Sequence, residues 1–255
     1  MMIASRLELL ALRGFPPVGP GDDLPAMIVA ALDANDIAPA WGDVVVVAQK
    51  IVSKSEGRFV VLSSVVPSER AVALAAEVNK DPRMVEIVLS ESLRVVRKRR
   101  DLLIVEHRLG LVMANAGVDQ SNIENAADRV LLLPEDPDAS AEALRVNLSA
   151  HFGADLAVIV NDSVGRAWRR GTVGIALGAA GLPSLLDLRG RPDLHGRALR
   201  TSIIGLADEI AAAASLLMGQ ANEGQPVVLV RGLDLPKDMR PARDLVRPEE
   251  DDLFR

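Results

Sequence analysis

Asp162 and Ser163 close an apolar run, Val158-Ile159-Val160, and three guanidiniums follow at Arg166, Arg169 and Arg170 with Trp168 among them. A carboxylate and a hydroxyl at a strand end can hold a hard metal ion. Arginines beyond them can hold phosphates that such an ion neutralises. The plainer alternative is that the arginines pair with surface acids and that Trp168 fills core. A second cluster, "AQKIVSKSEGR", places Lys50, Lys54 and Arg58 within nine residues. It reads either as anion capture, phosphate above all, or as a solvated turn.

Two further segments carry polar groups at the ends of apolar runs. "NAGVDQSNIEN" offers Asn115, Asp119, Asn122 and Glu124. An oxygen-rich run of this kind suits a hard cation, and the same residues are ordinary turn formers. "GQANEGQP" lies between a helical pattern and a strand pattern; Gly219 ends the helix and Gly224 permits a close backbone approach to a ligand. A helix cap followed by a turn explains it equally well. Strand ends of α/β proteins are common ligand sites. Two acidic loops and two basic ones together fit a metal-bridged nucleoside polyphosphate. Neither G-x-x-x-x-G-K-[ST] nor G-x-G-x-x-G occurs, so such a site is neither a Walker loop nor a Rossmann fingerprint.

Composition narrows the class. The chain has 255 residues, 49% of them hydrophobic, enough for a sizeable core in one large domain or two small ones. A net charge of −6 gives no overall attraction to nucleic acid or to an anionic membrane, and aromatics at 2% leave no base-stacking platform. Cysteine is absent and the three histidines, His107, His151 and His195, lie far apart, which disfavours a zinc site. A bound metal would be held by carboxylates and carbonyls, favouring magnesium, manganese or calcium. The N-terminus has no long apolar h-region, and Gly and Pro interrupt the longest charge-free stretches. The expectation is a cytoplasmic protein with neither membrane nor nucleic-acid partners.

The elements that must position these groups alternate between β and α patterns. "LELLAL", "DVVVVA" (43–48), "RFVVLSSVV", 155–160, "TVGIAL" and "QPVVLVRGL" read as strands. "GDDLPAMIVAALDAN", "PSERAVALAAEVN" capped by Ser68, "DPRMVEIVLSES" and "DASAEALRVNLSAHFG" read as helices. So does "TSIIGLADEIAAAASLLMG", with a stripe of Ile203, Leu206, Ala207, Ile210, Ala214 and Leu217 and a solvated face at Asp208 and Glu209. "DLLIVEH" and "GLVMANA" read as a hairpin, which argues against a purely parallel sheet. The expected class is mixed α/β (α+β), with antiparallel pairing in a mixed sheet. Residues 1–255 form a single unit of one or two subdomains, and 234–255 read as a polar surface tail.

Five blocks, "SKSEGR", "NAGVDQSN", "NDSVGRAWRRG", "LADEIAAAASLLMG" and "VVLVRGL", resemble in order those of the coenzyme F420:L-glutamate ligase family. The similarity runs from about "GFPPVGPGDDL" to the last strand, and five ordered blocks are far more specific than one motif. The form resembled is the ligase portion of two-domain actinobacterial proteins, without their nitroreductase-like domain.

The resemblance implies a family-specific mixed fold and a homodimer that uses GTP to attach L-glutamate to a deazaflavin precursor. It implies Mn2+ or Mg2+, together with K+. Metal ligands would fall on Asp119, Asp162, Ser163 and Gln220. GTP contacts would fall on Phe15, Pro16, Pro17, Val18, Gln49, Lys50, Lys54 and Asn122, and on the loop Gly219, Gln220, Ala221, Asn222, Glu223, Gly224, Gln225 and Pro226. Catalytic roles would fall on Lys54, Asp119, Asp162, Arg166 and Arg169. The residue types agree with that chemistry: a carboxylate activated as an acyl phosphate needs positioning and charge neutralisation more than a protein nucleophile. Gly165 is then expected to turn the chain so that the arginines return over the anions, at least one facing ligand and at least one pairing with an acid. Rival readings are a metal-dependent phosphohydrolase and a non-catalytic deazaflavin-binding protein.

Overall fold

Four valines in a row leave no face for water, and the strand they form lies between two apolar layers. The computed structural model describes residues 6–123, 127–236 and 238–253; Glu124 lies outside them. In chain order the first elements are β1 (Glu8–Ala11), α1 (Leu24–Ala34), β2 (Val44–Ala48), α2 (Gln49–Ser55) and β3 (Phe59–Val61). Next come α3 (Glu69–Val78), α4 (Pro82–Ser90), β4 (Ser92–Arg99), β5 (Leu102–His107), β6 (Val112–Ala114) and β7 (Arg129–Leu131). The last are α5 (Pro137–Phe152), β8 (Ala157–Arg166), β9 (Arg169–Ala180), β10 (Leu185–Asp187), β11 (Ile203–Gly205), α6 (Leu206–Met218) and β12 (Val227–Arg231).

The central sheet has the order β1-β12-β2-β8-β9. Only β2 and β8 run parallel; the other neighbours are antiparallel, so the sheet is mixed as expected. Val45 and Val47 meet α1 and α5 on one face, while Val44 and Val46 meet α6 on the other. Burial on both faces is why the segment is uniformly apolar rather than alternating. The long crossover between β2 and β8 carries a second module, in which α3 and α4 cover the sheet β4-β5-β6 and β3 pairs with β7. Helix starts follow their caps: Asp23, Ser68, Asp81 and Asp136 each accept from a first-turn N–H. Among the described residues no helix is long and apolar enough to cross a membrane.

Four expectations change. The segment 92–99 forms β4, which its charges hid; it is an edge strand, where cations discourage further pairing. The strand expected at 155–160 runs on to Arg166 and takes Asp162 and Ser163 with it. The last long helix begins at Leu206, because Ile203 belongs to β11. Asp208 does not lie on a solvated face: its Oδ1 accepts the Ala176 N–H at 2.9 Å, and burial raises its pKa. β9 is the sheet edge and is bulged opposite Val160 and Asn161, so its outward N–H groups need partners. Asp208 and Asp138 supply them, Asp138 accepting from Ala179, Ala242 and Arg243. The segment expected as a surface tail is thereby anchored at Ala242, which is buried.

Candidate active site

β2 ends at Ala48, opposite Asn161 in its parallel neighbour β8, which continues beyond it carrying Asp162 and Ser163. No loop separates β2 from α2, so Gln49 and Lys50 emerge directly at the sheet end. A cavity of about 470 Å3 opens there. Its walls bring together Phe15, Pro16, Pro17 and Val18 after β1, Gln49, Lys50 and Lys54 on α2, Asn122, and Asp162 and Ser163 on β8. The loop from Gly219 to Pro226 completes it, and Ala48, Ile51, Asn161 and Met218 fill the intervals. These segments are distant in sequence, and the strand ends make them neighbours.

Asp119 stands behind Lys50. Its backbone pairs with Leu131 in both directions, which fixes the chain, and its Oδ1 accepts the Ser121 N–H at 2.7 Å. Lys50 Nζ lies 2.7 Å from Asp119 Oδ2 and donates to Ser121 Oγ at 2.6 Å. Burial pushes the Asp119 carboxyl up, but the Lys50 ammonium and the Ser121 N–H outweigh it and hold the pKa below the ordinary value. Asp162 goes the other way. Burial first, and then the nearby charge of Asp119, push it up to about 6, against the N–H of Ser163, the Lys50 charge and a hydrogen bond from Gln49. Gln49 is itself buried and accepts from the buried Ser53 Oγ at 2.9 Å.

The charge of Asp119 raises the proton affinity of Asp162, and an ammonium is already drawn between the loops, so the site favours added positive charge. Its donors are all oxygen, as magnesium and manganese prefer. Among the described residues no three His, Cys, Asp or Glu are placed to hold a metal together, so a cation here would complete its shell with hydroxyl, amide, phosphate or water oxygens. The residues present fit such an ion.

Lys54 reaches the other loop and donates from Nζ to the Asn122 carbonyl at 2.8 Å; Asn122 Nδ2 donates onward to the Ala221 carbonyl at 3.3 Å. The two lysines thus tie the 119–122 loop across the cavity mouth. Arg58, grouped with them in the sequence, turns away. It donates to the Leu133 carbonyl and to Glu91, whose pKa His107, Arg108 and Arg58 draw down to about 2. It ties α2 to the second module and does not line the cavity.

The arginines after Asp162 also lie elsewhere. Gly165 does not turn the chain; it pairs with Thr172 inside the β8–β9 ladder, and the reversal comes at Ala167 and Trp168. Arg166 and Arg169 face each other at the exposed tip, and Arg166 Nη2 donates to the Arg170 carbonyl at 2.9 Å. Among the described residues none of the three makes an ion pair, so the expected acid partner is not there. Trp168, at φ +65°, is 85% exposed and fills no core. Sequence reasoning placed the turn at the glycine; the ladder continues past it, with Val164 and Ile175 packed on Met113, Leu133 and Leu177.

Residues 14–232 match the family described as F420-0:Gamma-glutamyl ligase. The chain belongs to that family of ligases. The coenzyme F420:L-glutamate ligase of Methanothermobacter thermautotrophicus is 43% identical over 252 residues, covering 98% of this chain and 99% of the relative. Its namesake from Archaeoglobus fulgidus is 41% identical over 250 residues, covering 98% and 97%. That of Methanocaldococcus jannaschii is 42% identical over 214 residues, covering 84% and 85%. Four of the five blocks that carried the resemblance fall inside the matched span, and the fifth does so but for its last residue, Leu233.

Family membership does not by itself reveal what the geometry adds. Ser53 had no role in the sequence reading, yet it locks the glutamine that touches Asp162. Asn161 donates from Nδ2 to Ser215 Oγ and Met218 Sδ, pinning the end of α6 to the strand that bears Asp162. The legible signal for Ser53 is the i,i+4 spacing from Gln49 on one helix. For Asn161 it is a polar residue in a run that is otherwise apolar.

Proposed function

We propose that this chain joins L-glutamate to a coenzyme F420 precursor, using GTP to activate the precursor's carboxylate. Supporting this reading is one observation above all: Lys50, Lys54 and Asp162 line one cavity, with Asp119 paired behind Lys50. The γ-phosphoryl group of GTP passes to a carboxylate oxygen, giving an acyl phosphate and GDP. The glutamate nitrogen then attacks the acyl carbon, the C–N bond forms, the C–O bond breaks, phosphate leaves and the amine releases a proton. Lys54 and Lys50 bind and orient the phosphates, and the cavity walls limit water, which would otherwise hydrolyse the acyl phosphate. A magnesium or manganese ion held by Asp119, Asp162, Ser163 and Gln220 would neutralise phosphate charge. The reading extends to K+, to a homodimer, to catalytic roles for Arg166 and Arg169, and to the cytoplasm.

Mass spectrometry of products tests it. Purified protein with precursor, L-glutamate and GTP should yield the precursor enlarged by glutamate, with GDP formed in equal amount. GTP hydrolysis without either acceptor would favour the phosphohydrolase, and bound deazaflavin without turnover would favour a carrier.

Lys54→Ala should weaken GTP by about 10–100-fold, since a charge-assisted bond to phosphate contributes ~1.5–3 kcal/mol. The binding of glutamate should change much less. Calorimetry that finds GTP affinity unaltered would return Lys54 to the role of a loop tie through Asn122.

A further inference from the structure

Helix α2 turns two polar side chains inward. Gln49 is 3% exposed and Ser53 is 0% exposed, beside Ile51 and Val52, which are buried as well. The i,i+4 spacing sets the pair one above the other on the helix. Buried polar groups contribute little to stability even when each finds a hydrogen bond inside the protein, and they cost when they do not. These two find each other: Ser53 Oγ donates to Gln49 Oε1 at 2.9 Å. Neither side chain is among those with a buried polar atom left unpartnered. An apolar pair would hold α2 as firmly, so the polar pair points to a task beyond packing.

The task follows from the strand register. Ala48 closes β2 opposite Asn161, so the next residues on the two chains, Gln49 and Asp162, lie side by side at the sheet end, and both line the cavity. The Gln49 side chain hydrogen-bonds the Asp162 carboxylate. An ionised carboxylate only accepts, so the amide nitrogen is the end that faces it and the amide oxygen is left for a donor on the far side. Ser53 is that donor. Hydroxyl, amide and carboxylate form one chain that runs from the core to the rim, and Ser53, which does not line the cavity, is its buried end. A glutamine side chain held only by Asp162 could turn about three bonds. Anchored at its oxygen as well, it has one place to stand.

We infer that Ser53 is a positioning residue: through the Gln49 amide it fixes the Asp162 carboxylate in the orientation that a divalent cation meets. This rests on the reading of Asp162 as a metal ligand. Ser53 touches neither ion nor substrate and passes no proton to either. Groups that hold a metal ligand from behind commonly cost about 10–100-fold in metal affinity when removed, because the ion must then order its own ligand. Ser53 stands one hydrogen bond further back, so its share is smaller.

The test is isothermal titration of Mn2+ into the full chain, into Ser53→Ala, into Gln49→Met and into the double variant. Methionine keeps the length of Gln49 without its amide. Ser53→Ala should weaken Mn2+ by ~3–10-fold, the size of one net hydrogen bond, and Gln49→Met by ~10–100-fold. Added to Gln49→Met, Ser53→Ala should cost less than ~2-fold more, because the route through the amide is already gone. Ser53→Thr, which keeps the hydroxyl, should bind Mn2+ within ~2-fold of the parent chain. If Ser53→Ala binds Mn2+ like the parent, or weakens it by the same factor with and without Gln49, the hydroxyl only packs α2 and the inference fails. The comparison with and without Gln49 decides this even where the added methyl of Ser53→Thr lowers the melting temperature. A parent chain that binds no Mn2+ overturns the metal reading itself, which is a different result from a parent that binds and a Ser53→Ala that binds equally well.

Discussion

Asp162→Ala should lower divalent-cation affinity by ~30–1000-fold, the equivalent of about 2–4 kcal/mol for one anionic ligand lost from an all-oxygen site. Asp119→Ala should fall in the same range. Ligation should fall with binding, and the fold should survive, since neither side chain supports the core. The two variants differ in one respect. Asp119 is already matched by Lys50, so its loss also frees that ammonium. Removing Asp162 relieves a carboxyl that burial and Asp119 push up to about 6. The apo protein should therefore be no less stable in Asp162→Ala, and more stable above pH 6, where the half-buried carboxylate must otherwise carry charge. The same shift sets a pH dependence. A cation and a proton compete for Asp162, so metal affinity in the parent chain should fall as pH drops through about 6, and rise to a plateau above it. Isothermal titration with Mn2+ across pH 5–8 reads both effects. A Mn2+ affinity unchanged in either variant removes that carboxylate from the ligand set, and a flat pH profile removes the competition.

The sequence made most of the cavity legible because strand ends leave a mark. A run such as Val44 to Val47 can only be buried, and the polar residues that follow it must lie at its rim. That logic reaches Lys50, Asp162 and Ser163 without any structure, whereas Gln49 is implied only by the family resemblance. It fails for the arginines. Their spacing says nothing about whether β8 stops at Val160 or continues, and the bulge at Asn161, which keeps the ladder going, depends on Asp208 and Asp138 arriving from other elements. It fails equally for Arg58, which shares a motif with Lys54 but answers to Glu91, 33 residues away. Local pattern records burial and helix caps well; it does not record which partner a long cationic side chain finds. β4 was missed for the related reason that a charged edge strand, with only Val95 packed on the core under α3 and α4, has no apolar period to detect.

Gly178→Ala should destabilise the chain by roughly 3–5 kcal/mol, among the larger single-site effects a core permits. Gly178 lies on β9 opposite Val160, two residues from where β8 delivers Asp162. A Cβ there would stand 2.0 Å from the Pro137 carbonyl oxygen, 2.2 Å from its carbon and 2.8 Å from the Asp138 nitrogen. All three atoms are backbone, so no rotamer change relieves the overlap; the first turn of α5 must withdraw from the sheet. That turn carries Asp138, which accepts from Ala179, Ala242 and Arg243. Withdrawal therefore leaves buried N–H groups unpaired as well as opening the apolar contact. For a chain of this size the expected fall in melting temperature is about 10 °C. Gly165→Ala is the matched control. It lies on the same ladder, its φ is not in the left-handed region, and a Cβ would meet nothing within 4 Å. Its melting temperature should stay within a degree or two of the parent chain. Calorimetric melts of the two variants side by side decide the matter: if Gly178→Ala melts like Gly165→Ala, α5 does not pack on β9 as described, and the support for the Asp162 position must come from elsewhere in the sheet.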